Sequence, residues 1–306
     1  MRIVVALGGN ALLRRGEPLT SEAQAKNVAG AAVALANLGR DHGLVVTHGN
    51  GPQVGLLALL DASDPDSGNF PLDVIGAEST GMIGYVVAQG FRNHLPGRQV
   101  AMLLTQIEVD PKDPAFDRPT KPIGAVYTEA EALALAELRG WAIAVDGTGF
   151  RRVVPSPKPL RILEVDAVRL LVGAGVVVIC AGGGGIPVVV DPSGHVRGVE
   201  AVIEKDLSAG LVARDVGADA LLFLTDAEGV MLDWGTSEER RMERATPSEL
   251  RAYEFPEGSM GPKVEAAIAF VESTGGIAGI GRLEDAADIL QGKAGTLIVA
   301  EEKPKS

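Results

Sequence analysis

Three glycine-rich loops stand at the ends of short apolar runs. The loops are Ala6–Ala11, His48–Gly55 and Cys180–Pro187. Short β-branched runs without polar breaks are typical of strands buried on both faces of a parallel sheet. Glycine lets backbone N–H groups approach a ligand, and a loop that opens a helix favours an anion. The three loops therefore predict that a small anion and a phosphate bind across one edge of a sheet.

Strand-like runs alternate with helical patterns along most of the 306 residues. Strands are predicted at Ile3–Leu7, Leu44–Thr47, Val100–Leu104, Val176–Cys180, Ala220–Leu224, Ile277–Ile280 and Thr296–Val299. Helices are predicted from Thr20 or Ser21 to about Gly39 and at Val54–Leu60, Val74–Phe91, Val165–Val172, Leu207–Val216, Lys263–Ser273 and Leu283–Leu290. This alternation indicates an α/β fold whose mainly parallel, open sheet is covered on both faces, a three-layer α/β/α sandwich.

The alternation breaks between residues 107 and 159. This segment is rich in Asp, Thr and Pro, yet it keeps two β-like pieces at Trp141–Val145 and Phe150–Val154. A long stretch that retains apolar strand signal is more consistent with an inserted subdomain or lid than with a linker. We expect one domain over residues 1–306 that carries a lid at 107–159. A hairpin is predicted around Asp191–Gly194.

Composition narrows the classes of function. The formal net charge is −12, which argues against nucleic acid or an anionic membrane as the main partner. Cys180, the single cysteine, lies in an apolar run and is expected to be a buried strand residue. One cysteine forms no disulfide within the chain, and the N-terminal apolar run is too short for a signal peptide. We expect a cytoplasmic protein with small-molecule substrates.

Common nucleotide and catalytic motifs are absent from the sequence. There is no P-loop pattern, and the dinucleotide fingerprint that begins at Gly49 fails because position 54 is Val. Four histidines and one cysteine give no metal-ligand spacing, so no protein metal site is predicted. No Gly-x-Ser-x-Gly nucleophile turn is present.

Three lysines stand in unusual settings. Lys205 and Asp206 lie at a predicted helix start, Lys263 follows a Gly-Pro loop, and Lys121 lies inside the insertion. Asp206 can be a simple helix cap, and each lysine can be a solvated side chain. Taken together, lysine charges and glycine loops suit phosphoryl transfer, in which a protein mainly positions the phosphates and neutralises their charge.

Motifs along nearly the whole chain resemble those of the carbamate kinases, within the amino-acid kinase family. The resemblance rests on Ala6–Leu12, His48–Gly55, Pro71–Val74, Gly81–Tyr85, Asp113–Phe116, Pro119–Gly124, Arg151–Pro157, Gly182–Pro187, Lys205-Asp206 and Gly258–Glu265. Pro119–Gly124 and Arg151–Pro157 are the most specific, because they belong to the family's lid. Three positions depart from the family pattern: Thr80, Thr148 and Met231.

The resemblance implies a role for each matching residue. Catalytic roles fall on Lys205, Asp206, Lys121, Gly8 and Asn10. Substrate-binding roles fall on Gly9, Gly49, Asn50 and Gly51. Nucleotide-binding roles fall on Lys263, Thr225, Asp226, Met260 and Gly261. Gly182–Gly185 would close the back of the site, and residues up to about 200 would form the carbamate side, with residues 201–306 as the nucleotide side.

The resemblance also implies ATP or ADP as the nucleotide, Mg²⁺ held mainly through its phosphates, and a homodimer. The implied reaction is reversible phosphoryl transfer between ATP and carbamate, run toward ATP synthesis in arginine or related nitrogen catabolism. Two alternatives stay open at this point. One is another small-acid kinase of the same fold, of the acetylglutamate or fosfomycin type. The other is a non-catalytic relative that binds a ligand. A dehydrogenase ranks third, since the fingerprint fails.

Overall fold

A computed structural model describes residues 1–13, 17–18, 20–63, 70–256 and 258–301, with the backbone alone at residues 10–11 and 62–63. The strands are β1 (Arg2–Leu7), β2 (Gly43–His48), β3 (Val100–Met102), β4 (Gln106–Val109), β5 (Lys121–Tyr127), β6 (Ala142–Asp146), β7 (Gly149–Val154), β8 (Pro159–Ile162), β9 (Val177–Ile179), β10 (Ile186–Val190), β11 (Val196–Gly198), β12 (Ala220–Thr225), β13 (Met231–Leu232), β14 (Arg240–Arg241), β15 (Arg244–Ala245), β16 (Ile277–Arg282) and β17 (Thr296–Ile298). The helices are α1 (Gly9–Leu12), α2 (Ser21–Asp41), α3 (Gly51–Ser63), α4 (Leu72–His94), α5 (Glu129–Arg139), α6 (Val165–Gly173), α7 (Lys205–Asp215), α8 (Pro247–Arg251), α9 (Met260–Thr274) and α10 (Ala286–Leu290). Short 3-10 helices span Pro114–Phe116, Gly182–Gly184 and Leu283–Asp285.

The central sheet has eight strands in the order β15-β17-β16-β12-β1-β2-β9-β3. Neighbouring strands run parallel except for β16 and β17, which pair antiparallel. The predicted mainly parallel, open sheet is therefore confirmed. The inner residues of its strands are mostly apolar and buried, as expected for a sheet that helices cover on both faces.

Alternate residues of each central strand enter different halves of the core. On β1, Val5 and Leu7 pack with α2 and α4 side chains such as Leu35 and Phe91. Val4 faces the opposite half, which α6, α7 and α9 cover. The three-layer α/β/α arrangement is confirmed, and it follows from the two-residue period of a strand.

The strand order changes direction between β1 and β12. From β1 the chain builds outward through β2 toward β9 and β3, whereas from β12 it builds the other way through β16. In open α/β sheets, ligands bind beyond the carboxyl ends of the strands at such a switch point. The loops after β1 and β12 lie at this position.

A second sheet of four strands lies beside the first, in the order β11-β10-β4-β8. Its β10–β11 hairpin turns at the predicted Asp191–Gly194. The third sheet, β5-β7-β6, is formed wholly within Lys121–Val154, and helix α5 contacts it. This small unit lies on α3, where Gly55 and Gly124 meet so closely that a Cβ on Gly55 would lie 2.4 Å from Gly124 Cα.

Among helices of the described residues, none combines the length and apolar character that crossing a bilayer requires.

Candidate active site

The loops after β1, β2, β9 and β12 converge at the carboxyl edge of the central sheet. Gly8 lies beside β12, and its N–H donates to the Leu224 carbonyl at 2.8 Å. The Gly49 N–H donates to the Leu7 carbonyl at 3.2 Å. These two amides are already engaged by the sheet. Gly8 and Gly49 thus shape the loops, and the anion donors expected from glycine N–H groups must come from other residues.

Helix α3 offers such donors where it begins. The first intrahelical bond runs from Val54 N–H to the Asn50 carbonyl at 2.9 Å, so the N–H groups of Gly51 and Gln53 precede it. N–H groups in a first helical turn have no intrahelical partner, and they favour an anion. The Asn50 side chain is buried and donates to Ser79 Oγ at 2.8 Å. This contact fixes the loop that opens the helix.

The loop Gly182–Gly185 packs against the start of α7. Gly184 has φ +98°, and a Cβ on it would lie 2.2 Å from the Ile203 carbonyl oxygen. Only glycine fits a left-handed backbone at that distance. Ser208 Oγ donates to the Gly184 carbonyl at 2.7 Å. The loop therefore holds the first turn of α7 at the edge of the site.

Lys205 and Lys263 meet at the Asp206 carboxylate. Lys205 Nζ lies 3.1 and 3.0 Å from the two carboxylate oxygens, and Lys263 Nζ lies 3.0 Å from Oδ2. Asp206 lies inside α7, whose N-cap is Glu204, and its side chain binds the two lysines. The alternative that Asp206 merely caps the helix is therefore wrong. The reading of Lys263 as a solvated side chain is also wrong, since Lys263 is buried.

Asp206 stays ionised in this environment. Burial alone raises the pKa of its carboxyl, but the ammonium groups of Lys205 and Lys263 outweigh burial and hold the pKa below its ordinary value of 3.8. The carboxylate is thus charged at neutral pH, and it keeps two positive side chains in place at the sheet edge.

Lys121, on the first residue of β5, reaches this group through Glu204. Its Nζ donates to Glu204 Oε2, and Glu204 Oε1 lies 4.0 Å from Lys205 Nζ. The structure thus connects Lys121, Lys205 and Lys263 through two carboxylates, those of Glu204 and Asp206. Glu204 was not among the predicted residues, because sequence alone does not show that it faces a lysine 83 positions away.

His48, the last residue of β2, is a further residue that the sequence reading missed. It is buried, and its Nδ1 lies 3.0 Å from the Gly49 carbonyl, so Nδ1 is the protonated nitrogen. Nε2 has no hydrogen-bond partner among the described residues. Burial lowers the pKa of His48 from 6.5 to about 4. The ring is therefore neutral at the sheet edge.

We expect His48 to remain neutral down to about pH 4 in an NMR titration of its ring. Its folded-state pKa lies below its unfolded value of 6.5, so above pH 6.5 the ring is neutral in both states and costs no stability. As pH falls from 6.5 toward 4, only the unfolded state takes up the proton, and the free energy of unfolding falls by about 3 kcal/mol in total. Urea unfolding between pH 7 and 4 measures this loss, and His48→Gln should flatten the slope. A ring midpoint near 6.5 in the folded protein would contradict the assignment.

The predicted nucleotide residues occupy two places. Thr225 ends β12 beside Gly8 and donates to Asp226 Oδ1 at 3.0 Å. Met260 and Gly261 begin α9, and the Gly261 N–H donates to the Pro256 carbonyl at 2.9 Å. Asn10 lies in α1, but its side chain falls outside the described residues.

The three departures from the family pattern differ in position. Thr80 is buried, and its Oγ1 donates to the Gly182 carbonyl at 3.0 Å, so it supports the glycine loop. Thr148 is exposed in the turn between β6 and β7, and Met231 lies in β13.

Cys180 is buried, as predicted, but it lies one residue beyond the end of β9 rather than within the strand. Burial raises the pKa of its thiol to about 12. A neutral thiol with that pKa is a poor nucleophile. Within the described ranges, no three His, Cys, Asp or Glu side chains form a group able to hold a metal ion.

Comparisons with known proteins identify the family of this chain. A sequence model of the amino acid kinase family matches residues 1–280. A carbamate kinase of Haemophilus influenzae is 52% identical over 299 residues, which cover 97% of this chain and 96% of that protein. A carbamate kinase of Pyrococcus horikoshii is 46% identical over 310 residues, covering 97% and 98%.

Among solved structures, the carbamate kinase of Giardia lamblia bound to AMP-PNP superimposes with a TM-score of 0.90. It is 40% identical and covers 98% of each chain. Coverage of 98% of each chain means that the match is not confined to one part of the fold. The chain belongs to the amino acid kinase family, and within it to the carbamate kinases.

Proposed function

We propose that this protein catalyses reversible phosphoryl transfer between ATP and carbamate, giving ADP and carbamoyl phosphate. The observation that carries the proposal is the meeting of Lys205 and Lys263 at one buried carboxylate, at the carboxyl edge of the sheet. The carbamate kinases of H. influenzae and P. horikoshii, at 52% and 46% identity, support the choice of carbamate as acceptor.

Neither a nucleophile on the protein nor a strong general base is required. Carbamate is already an anionic oxygen nucleophile, so the obstacle is charge repulsion between it and the incoming phosphoryl group. Lysine ammonium groups neutralise charge on the phosphoryl oxygens, and the N–H groups at the start of α3 orient the acceptor. We assign the phosphoryl group to Lys205, the nucleotide phosphates to Lys263, and the positioning of both lysines to Asp206.

The two halves of the sheet suit the two substrates. Strands β1, β2, β9 and β3 lie on one side of the switch point, and β12, β16, β17 and β15 on the other. We place carbamate with Gly9, Asn50 and Gly51 on the first side. The nucleotide lies near Thr225, Asp226, Met260 and Lys263 on the second.

We propose that Mg²⁺ enters with the nucleotide phosphates. The donor set fits this assignment, because the acidic group nearest Lys205 and Lys263, that of Asp206, already accepts hydrogen bonds from both ammonium groups. The ion would supply charge neutralisation on the phosphate oxygens.

The segment 107–159, with the β5-β7-β6 sheet as its body, is proposed as a lid. Carbamate is labile in water, so a lid that excludes solvent protects it while the new bond forms. The close seating of Gly124 on Gly55 supports a lid that packs directly on α3.

A homodimer in the cytoplasm is part of the proposal, and it rests on the family resemblance. The single cysteine, Cys180, is free and buried, which suits a reducing compartment. The direction of ATP synthesis is proposed on the same resemblance.

The decisive assay supplies carbamoyl phosphate, ADP and Mg²⁺ and follows ATP formation. We expect ATP well above the non-enzymatic background, with a Lys205→Met preparation as the control for contaminating kinases. In the opposite direction, ADP release is compared among carbamate, acetylglutamate and fosfomycin as acceptors. Turnover only with acetylglutamate or fosfomycin would contradict the proposal. Nucleotide binding without turnover of any acid would favour a non-catalytic relative.

A further inference from the structure

Glu204 joins the small β5-β7-β6 sheet to the charged centre of the site, which is formed by Lys205, Asp206 and Lys263. Its Oε2 accepts a hydrogen bond from Lys121 Nζ on β5, and its Oε1 lies 4.0 Å from Lys205 Nζ on α7. Its side chain is 17% exposed, whereas the surface carboxylate Glu265, which pairs with Lys158, is 59% exposed. Glu204 is therefore the one of these two carboxylates that is largely shielded from water.

The backbone of Glu204 is held firmly. The preceding carbonyl, that of Ile203, lies against Gly184, and the Glu204 carbonyl itself accepts the Ser208 N–H at 3.1 Å in the first turn of α7. Glu204 is the N-cap residue, but its side chain makes no cap hydrogen bond. The carboxylate is thus left to bind Lys121 from a fixed backbone position.

Lys121 lies at the base of the proposed lid. It pairs with Val154 in the β5–β7 ladder, and the next residue, Pro155, accepts the Val202 N–H at 3.0 Å. Lys121 and Glu204 therefore face each other across the junction between the lid and the core. An ion pair at this junction fixes the lysine relative to α7 more directly than one at the far end of the lid.

The charges explain why a carboxylate is useful at this point. Lys121, Lys205 and Lys263 carry three positive charges, and like charges in one site repel each other. Asp206 binds Lys205 and Lys263, but Lys121 has its ion pair with Glu204. An ammonium group has three donors, so Lys121 keeps two for a phosphate oxygen while one binds Glu204.

We propose that Glu204 is a positioning residue that holds Lys121 at the phosphoryl-transfer site, an inference that rests on the proposed function. Glu204 touches no substrate in this scheme. It acts through Lys121, and removing its charge should have the same consequence as removing the Lys121 ammonium group, only smaller.

The test compares Glu204→Gln, Glu204→Asp, Lys121→Met and the double variant Lys121→Met/Glu204→Gln. We expect Glu204→Gln to lower kcat/KM for carbamoyl phosphate roughly tenfold, the scale of one hydrogen bond to a charged group. Glu204→Asp should retain most of the activity, because the long lysine stem can follow the shorter carboxylate. The double variant should be no slower than Lys121→Met alone, because the two residues act as one unit.

Glu265→Gln is the matched control. It removes the carboxylate of a different ion pair, Lys158–Glu265, at 3.5 Å on the surface. Exposed ion pairs contribute little, so we expect unchanged kcat/KM. Thermal unfolding of every variant separates a loss of positioning from a loss of folding.

Hydrogen exchange gives a readout that does not depend on activity. Glu204→Gln should speed exchange of amides in Lys121–Tyr127 relative to wild type, while Glu265→Gln should not. If wild type forms ATP but the effects of Lys121→Met and Glu204→Gln multiply, the inference about Glu204 is wrong and the proposed function stands. If wild type forms no ATP, the proposed function fails. Independently of that result, unchanged exchange of the Lys121–Tyr127 amides in Glu204→Gln would overturn the inference that Glu204 positions Lys121.

Discussion

Lys205→Met is expected to lower kcat by roughly 10²-fold or more, the scale of losing one donor that stabilises transition-state charge. The Lys205 stem passes beside Gly49, where a Cβ would lie 3.4 Å from Lys205 Cδ. Methionine keeps most of this packing and removes only the ammonium group. The loss therefore reports charge rather than a cavity.

The split between kcat and KM distinguishes two roles for Lys205. If its ammonium group acts on the phosphoryl group in flight, kcat and kcat/KM fall together. If it only binds ground-state phosphate, KM rises and kcat stays. We expect the first pattern with carbamoyl phosphate and ADP as substrates.

Lys158→Met is the control for Lys205→Met, because the Lys158 side chain is 75% exposed and pairs only with a surface carboxylate among the described residues. Its kcat should match wild type. A near-normal kcat in Lys205→Met, in a protein that unfolds at the wild-type temperature, would rule out the mechanism proposed for this site.

The central sheet was predictable because most of its strands can be identified from their local sequence alone. Runs such as Ile3–Leu7 and Ala220–Leu224 are apolar, short and followed by glycine or a polar turn, and each became a buried parallel strand. The first and last residues of helices and strands were predicted less well. The helix expected at Leu207 begins at Lys205, and the strand expected to reach Leu104 ends at Met102.

The four-stranded sheet was not predictable in the same way. Strand β4 alternates polar and apolar residues over only four positions, and β8 begins at a proline. These two strands pair with each other across 50 or more positions of the chain. Local patterns carry no information about such pairings, so β4 and β8, which lie at the two ends of the predicted insertion, were missed, whereas the β10–β11 hairpin at Asp191–Gly194 was predicted.

The site was predictable where glycine and lysine are unusual in their local sequence. Lys205, Asp206 and Lys263 stood out, and the structure brings them together. His48 and Glu204 did not stand out, because a histidine ending an apolar run and a glutamate before a lysine are ordinary. Their significance depends on burial and on a distant partner, which only the folded chain supplies.

Asp206→Asn should be the most destabilising single substitution of the charged centre. The Asp206 side chain is 4% exposed and binds two ammonium groups. Removing one partner of a buried ion pair leaves uncompensated charge and costs about 3 kcal/mol or more. Here two cations, Lys205 and Lys263, are left facing each other. We expect a large fall in the free energy of unfolding at pH 7, measured in urea, together with a fall in kcat.

The pH dependence gives this prediction a sign. The folded-state pKa of Asp206 lies below 3.8, so its contribution is complete above 3.8 and is lost as pH falls through the folded value. The difference in stability between wild type and Asp206→Asn should therefore be constant near neutral pH. It should narrow as pH falls below 3.8.

Asp166→Asn supplies the control for Asp206→Asn, since Asp166 also lies in a first helical turn, that of α6, and pairs with Arg169 while 91% exposed. An exposed pair contributes at most about 1 kcal/mol, so stability should hardly change. Adding Lys205→Met to Asp206→Asn removes one of the two repelling cations, and the double variant should be more stable than the sum of the single effects predicts. Strict additivity, or an Asp206→Asn protein as stable as wild type, would mean that Asp206 does not hold the two lysines together.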